Sequence, residues 1–172
     1  MSATSQDLIK FLRGLRQVRE YTSEPVSDEA IQDILEVGRW SGSGGNRQPT
    51  EIVVVRAADF KNKLEEWGAK PPATAPVAFL IIAKDEASAL EEGRLAERLL
   101  LAARAHGLGA AIATIKNDGP EEAKRQLGIP DGKHARVVVA VGHTDRAARA
   151  ALPPRTEPAR KPLSEFAHWE RF

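Results

Sequence analysis

Cations at opposite ends of the chain are the first residues whose types suggest chemistry: Arg16 and Arg19 near the start, Arg160 and Lys161 near the end. A guanidinium presents a planar fork of donors that suits the two oxygens of a phosphate. Brought together, the two pairs would make a pocket for a phosphate dianion. Kept apart they are solvated surface charges, the simpler reading of either pair alone, and the sequence leaves the choice open. A second candidate is the stretch Ser41–Pro49, SGSGGNRQP. Asn46 and Gln48 each donate and accept, which suits the edge of a flat heterocycle carrying alternating carbonyl and N–H groups. The glycines around them would let the backbone approach a ring closely, although a flexible turn is the plain alternative. A third is the small-residue turn Gly107-Leu108-Gly109-Ala110-Ala111. Gly107 suits a helix C-cap there, and that reading is preferred to a ligand contact. His106 and His143 stand alone near element ends and read as structural, and His168 is assigned no role.

Several chemistries are excluded. A dinucleotide fingerprint needs a strand, then G-x-G-x-x-G, then a helix. Gly42 to Arg47 and Gly107 to Ile112 both follow a helix and precede a strand, and their sixth positions are Arg47 and Ile112. No phosphate-binding G-x-x-x-x-G-K-[ST] run occurs. The absence of cysteine removes disulfides, thiolate metal sites and a cysteine nucleophile, and the four histidines are not spaced as a metal pair. A formal net charge of +1 gives no global field for nucleic acid or an anionic membrane. The longest apolar run, Leu99–Ala103, is too short to span a bilayer, and Met1–Lys10 does not read as a signal peptide. We expect a cytoplasmic protein with no nucleic-acid or membrane partner, and one domain over residues 1–172.

The elements that must position the candidate residues follow from periodicity. Helices are predicted over Gln6–Leu15, from the N-cap Ser27 to near Trp40, over Asp59–Trp67, over Ala87–His106 and over Glu121–Leu127. Buried strands are predicted at Ile52–Val55, Val77–Ala83, Ala110–Ile115 and Arg136–Val141. Pro71, Pro72 and Pro76 mark an extended loop. The longest helix carries apolar residues round most of its circumference from Leu95 onward, which predicts burial on several sides and a second subunit as one partner. From about residue 145 the chain reads as a proline-held extended tail whose Phe166 and Trp169 dock elsewhere.

Taken in order, these pieces resemble the flavin-dependent nitroreductase family. The resemblance rests on Arg16-Gln17-Val18-Arg19-Glu20-Tyr21 followed by Pro25-Val26, then Ile34–Trp40 and Ser43-x-x-Asn46-x-Gln48-Pro49. It continues through Glu92-Gly93-Arg94, the long helix, Gly107-Leu108-Gly109, and Lys161-Pro162-Leu163 to His168-Trp169-Glu170. It implies an α+β fold with a mostly antiparallel central sheet flanked by helices. It further implies a homodimer with FMN at the subunit interface and the tail wrapped round the partner. Carried over by position, Arg16, Gln17 and Arg19 contact the phosphate, ribityl chain and ring edge. Ser43 and Asn46 arrive from the partner, with Gln48 supporting their loop. Ala113 and Thr114 present backbone to the ring, and Arg160, with Lys161, closes on the phosphate. The implied activity is ping-pong hydride transfer from NADH or NADPH through FMN to a small acceptor such as a nitroaromatic or quinone. No side chain acts as a catalytic acid or base and no metal is required. A flavin-sequestering protein with little turnover is the alternative. The chain departs from the family pattern at Leu15, where many members carry arginine, at Gln17 in place of serine, and at Thr50 in place of tryptophan.

Overall fold

The computed structural model describes residues 4–87, 89–154 and 160–172. Its helices are α1 (Ser5–Arg13), α2 (Asp28–Arg39), α3 (Ala58–Glu66), α4 (Ala89–Ala105), α5 (Gly119–Leu127), α6 (Arg146–Ala150) and α7 (Leu163–Phe166). Its strands are β1 (Thr50–Val55), β2 (Val77–Lys84), β3 (Gly109–Thr114) and β4 (Lys133–Gly142). The strands form one sheet in the order β1-β2-β4-β3, and every neighbouring pair is antiparallel. This is the α+β architecture expected from the sequence.

β2 explains why the sheet has helices on both faces. Val77, Phe79 and Ile81 point to one side, where they pack with Leu95 and Leu99 of α4 and Ile34 of α2. Ala78, Leu80 and Ile82 point to the other, against Leu64 of α3 and Ala123 of α5. A strand covered on both faces reads as a continuous apolar run because alternate side chains meet different apolar layers. β1 differs from the expectation of a buried strand. It lies at the sheet edge, and of its residues only Val55 is buried.

Three other expectations change. Residues 71–76 are compact turns and not an extended loop: Thr74 N–H donates to Pro71 O at 3.2 Å and Ala75 N–H to Pro72 O at 3.3 Å, with Pro71 and Pro72 buried. α4 is not apolar all round. Leu95, Ala96, Leu99, Leu100, Ala102 and Ala103 are buried within the chain itself, while Gly93, Arg94, Glu97 and Arg98 form an exposed strip. Large exposed apolar residues include Leu8, Ile9 and Leu12 on α1 and Leu163, Phe166 and Trp169 toward the C-terminus, besides Trp40 after α2 and Leu90 on α4. Finally, the tail contains two short helices, α6 and α7. Asp145 caps α6 by accepting from Ala148 N–H at 2.9 Å. The part of the predicted extended tail at 155–159 lies outside the described residues.

Candidate functional site

β3 occupies the other sheet edge, and the segment after α1 runs along it. Val18 N–H donates to Ala110 O at 2.9 Å, and Ile112 N–H donates to Gln17 Oε1 at 3.2 Å. Further on, Tyr21 bridges to Thr144 and Thr22 N–H donates to His143 O at 2.9 Å. The Tyr21 hydroxyl donates to Val18 O at 2.5 Å, and burial pushes its ionisation well above the ordinary range for tyrosine. Gly109 permits this close approach. A Cβ there would lie 2.7 Å from Thr144 Oγ1 and 2.9 Å from Val18 Cβ. The small-residue turn, read as a helix end, therefore also serves to seat the 16–21 segment.

The outcome is a cation-lined cavity of about 940 Å³ beside the β3 edge. Arg16, Gln17 and Arg19 line it from the segment just described, Arg13 from α1, Arg149 from α6 and Arg160 from the C-terminal segment. Leu12, Leu15 and Leu100 supply its apolar wall, and Glu97 is the one carboxylate in the lining. Gln17 holds the arrangement, because its Oε1 also accepts from Arg19 Nη2 at 2.9 Å. Arg16 Nη1 donates to Arg13 O at 2.9 Å and Leu15 O at 2.7 Å. The early and late arginines of the sequence do meet, whereas Lys161 is exposed and does not line the cavity.

Ser43 and Gln48 line a different cavity of about 290 Å³, with Ser41, Pro49, Thr50 and Leu95. Ser43 Oγ accepts from Gln48 N–H at 2.8 Å, so the serine ties down the backbone of the glutamine. Asn46 and Gln48 both have positive φ, 54° and 47°, and Asn46 is exposed and outside this lining. Asparagine tolerates that conformation better than glutamine does, and the strain at Gln48 is the kind that clusters at ligand sites. Ala113 is buried toward α3 and α5, and Thr114 is exposed at the end of β3. Ala110 and Ile112 turn their peptide groups to the open edge, so strand alternation turns that of Thr114 the same way and that of Ala113 toward β4.

Arg13, Glu97 and Arg149 were not singled out by the sequence reading. For Arg149 a signal existed: Asp145 followed by the helix formers RAARA is an N-cap pattern inside a stretch read as extended. Among the described residues, no group of three His, Asp or Glu could hold a metal ion, and no helix is long and apolar enough to cross a membrane.

The Nitroreductase family model matches residues 12–91, the stretch that carries both the 16–21 segment and the glycine-rich loop. Over that stretch the chain is similar to the nitroreductase family. A putative NADH dehydrogenase/NAD(P)H nitroreductase of Archaeoglobus fulgidus is 27% identical over 150 residues, spanning 80% of this chain and 86% of that protein. The NADPH-flavin oxidoreductase of Vibrio harveyi is 24% identical over 158 residues, spanning 80% of this chain and 66% of that one. The solved NADPH:FMN oxidoreductase from Vibrio harveyi, complexed with NAD+, superposes with a TM-score of 0.80 at 21% identity. That superposition covers 95% of this chain and 77% of the other. The nitroreductase fold thus extends over the described sheet and its helices, well past the stretch that the family model matches.

Proposed function

We propose that the chain is one FMN-binding domain that works as a homodimer and as an NAD(P)H oxidoreductase. The observation that carries the reading is the convergence of arginines from four segments on a cavity beside the open edge of β3. Such a donor set fits a phosphate. The flavin and nicotinamide substrates in the names of the Vibrio harveyi proteins support the same ligand class.

In this reading Arg16 and Arg160 neutralise the phosphate. Gln17 orients Arg19 toward the ring edge, and Thr114 offers backbone to the ring. Ser43 and Asn46 are donated by the partner, with Gln48 shaping their loop. The separation of Ser43 and Gln48 from the arginine-lined cavity within one chain supports that assignment. So does the apolar surface left uncovered: Leu8, Ile9 and Leu12 on α1, and Leu163, Phe166 and Trp169 toward the C-terminus. FMN held in the arginine-lined cavity would supply the redox chemistry for ping-pong hydride transfer from NADH or NADPH to a small acceptor such as a nitroaromatic or quinone. The chain binds and orients the flavin, with no side chain acting as acid or base. The cytoplasm is the proposed location.

The purified protein should be yellow, and denaturation should release a flavin that chromatographs as FMN. A colourless protein that also fails to take up added FMN would overturn the reading.

A further inference from the structure

We propose that Arg149, held by Glu20, is a phosphate-binding residue of the arginine-lined cavity and sets its preference for phosphorylated over unphosphorylated flavin. The proposal rests on the flavin reading above and adds a residue to it.

The position of α6 is fixed at its start. Asp145 N–H donates to Glu20 O at 3.0 Å, beside the bridge between Tyr21 and Thr144. One turn later, Arg149 Nη1 donates to Glu20 Oε2 at 3.0 Å, with side-chain exposures of 36% and 19%. The same carboxylate oxygen accepts from Arg19 N–H at 3.4 Å. One half-buried carboxylate therefore ties together two walls of the cavity that lie far apart in sequence. An ion pair of this exposure adds little to stability, so its main consequence is orientation.

The other cations are committed differently. Arg16 and Arg19 bond to neighbours within three residues, on their own segment. Arg104 donates to Gly14 O at 2.5 Å and stacks over Phe11, 5.1 Å from the ring centroid. Arg149 is anchored from across the fold. It lines both the large cavity and an adjoining one of about 430 Å³ that also reaches Arg16 and Leu108. A guanidinium has five N–H donors, and the contact with Glu20 engages one nitrogen, which leaves donors for a second anion. The five arginines of the cavity outnumber Glu97 and Glu20 by three, a balance suited to a dianion.

Titrating the deflavinated full-length protein with FMN and with riboflavin, followed by flavin fluorescence, tests this. Arg149→Gln should weaken FMN binding by about ten-fold or more, the worth of a charge-assisted hydrogen bond, and leave riboflavin within about two-fold. Arg149→Lys, which keeps charge and bulk, should retain part of the FMN preference. Glu20→Gln should lower the same preference by freeing the guanidinium. Equal weakening of FMN and riboflavin by Arg149→Gln would mark the residue as a structural strut and overturn the proposal, as would unchanged FMN binding. Wild-type protein that binds both flavins equally well would overturn the phosphate assignment alone. Binding of neither flavin would overturn the flavin reading itself.

Discussion

At the scale of single residues, hydrogen bonds to backbone decide more than charges do. Tyr21 is the clearest case: its hydroxyl reaches Val18 O, and Val18 in turn is pinned to β3 through Ala110 O. Tyr21→Phe should leave that carbonyl without its partner and cost about 1–3 kcal/mol in urea-induced unfolding. An unchanged midpoint would mean that water replaces the hydroxyl freely. Glu36 offers a pH readout. Its carboxylate accepts from Arg39 Nε at 2.7 Å and from Trp40 Nε1 at 2.9 Å. The hydrogen bonds from Arg39 and then Trp40 hold its pKa down to about 2, against an ordinary 4.5. A depressed folded value means the contribution is complete above about 4.5 and is lost as pH falls toward about 2. The Trp40 indole N–H resonance should therefore titrate with a midpoint near 2, and Glu36→Gln should abolish the transition. Such contacts are partly legible: E-x-x-R-W is visible in the sequence, whereas the Tyr21 contact to Val18 depends on how the segment lies against β3.

At the scale of elements, periodicity located the helices and strands but could not say which were edges. Ile52–Val55 and Val77–Ala83 are both compact apolar runs, yet one lies at the edge and the other is buried on both faces. The difference arises from the strand order, which no local pattern encodes. α6 was missed because prolines nearby dominated the reading of the tail. α1 is the most telling element. It has a capping box, with Thr4 Oγ1 accepting from Asp7 N–H at 3.2 Å, and no buried residue. A nine-residue helix is too short to be stable alone in water, and Leu8 and Ile9 remain 55% and 46% exposed. In the proposed dimer this face is covered, and each leucine fully buried contributes about 1.5–3 kcal/mol. Leu8→Asp should shift the protein toward monomer by light scattering and lose FMN together with the dimer. A dimer that persists with FMN bound would place the interface on other elements.

At the scale of the whole molecule, the fold class was legible because β2 and β4 are apolar enough to require layers on both faces of the sheet. The candidate site was legible only as two fragments, the arginine segment and the glycine-rich loop. Their side chains do not share a cavity within one chain, a separation that the proposed dimer would bridge. The same geometry bears on whether the protein turns over or stores flavin. A store needs an element closed over the ring to keep small molecules away. Within one chain the arginine-lined cavity opens to solvent, and Leu163, Phe166 and Trp169 do not fold back over their own cavity, at 76%, 76% and 89% exposed. If the proposed dimer leaves the ring equally open, donor and acceptor would visit it in turn, and a working reductase is the expected outcome. Anaerobic stopped-flow with NADH and NADPH separates the cases. The flavin should bleach within seconds with at least one donor and regain its colour when a quinone or nitroaromatic is added. A flavin that stays oxidised with both donors yet is reduced by dithionite would be redox-competent and shielded. In that event the C-terminal segment of the partner must close over the ring, and the protein is a flavin store.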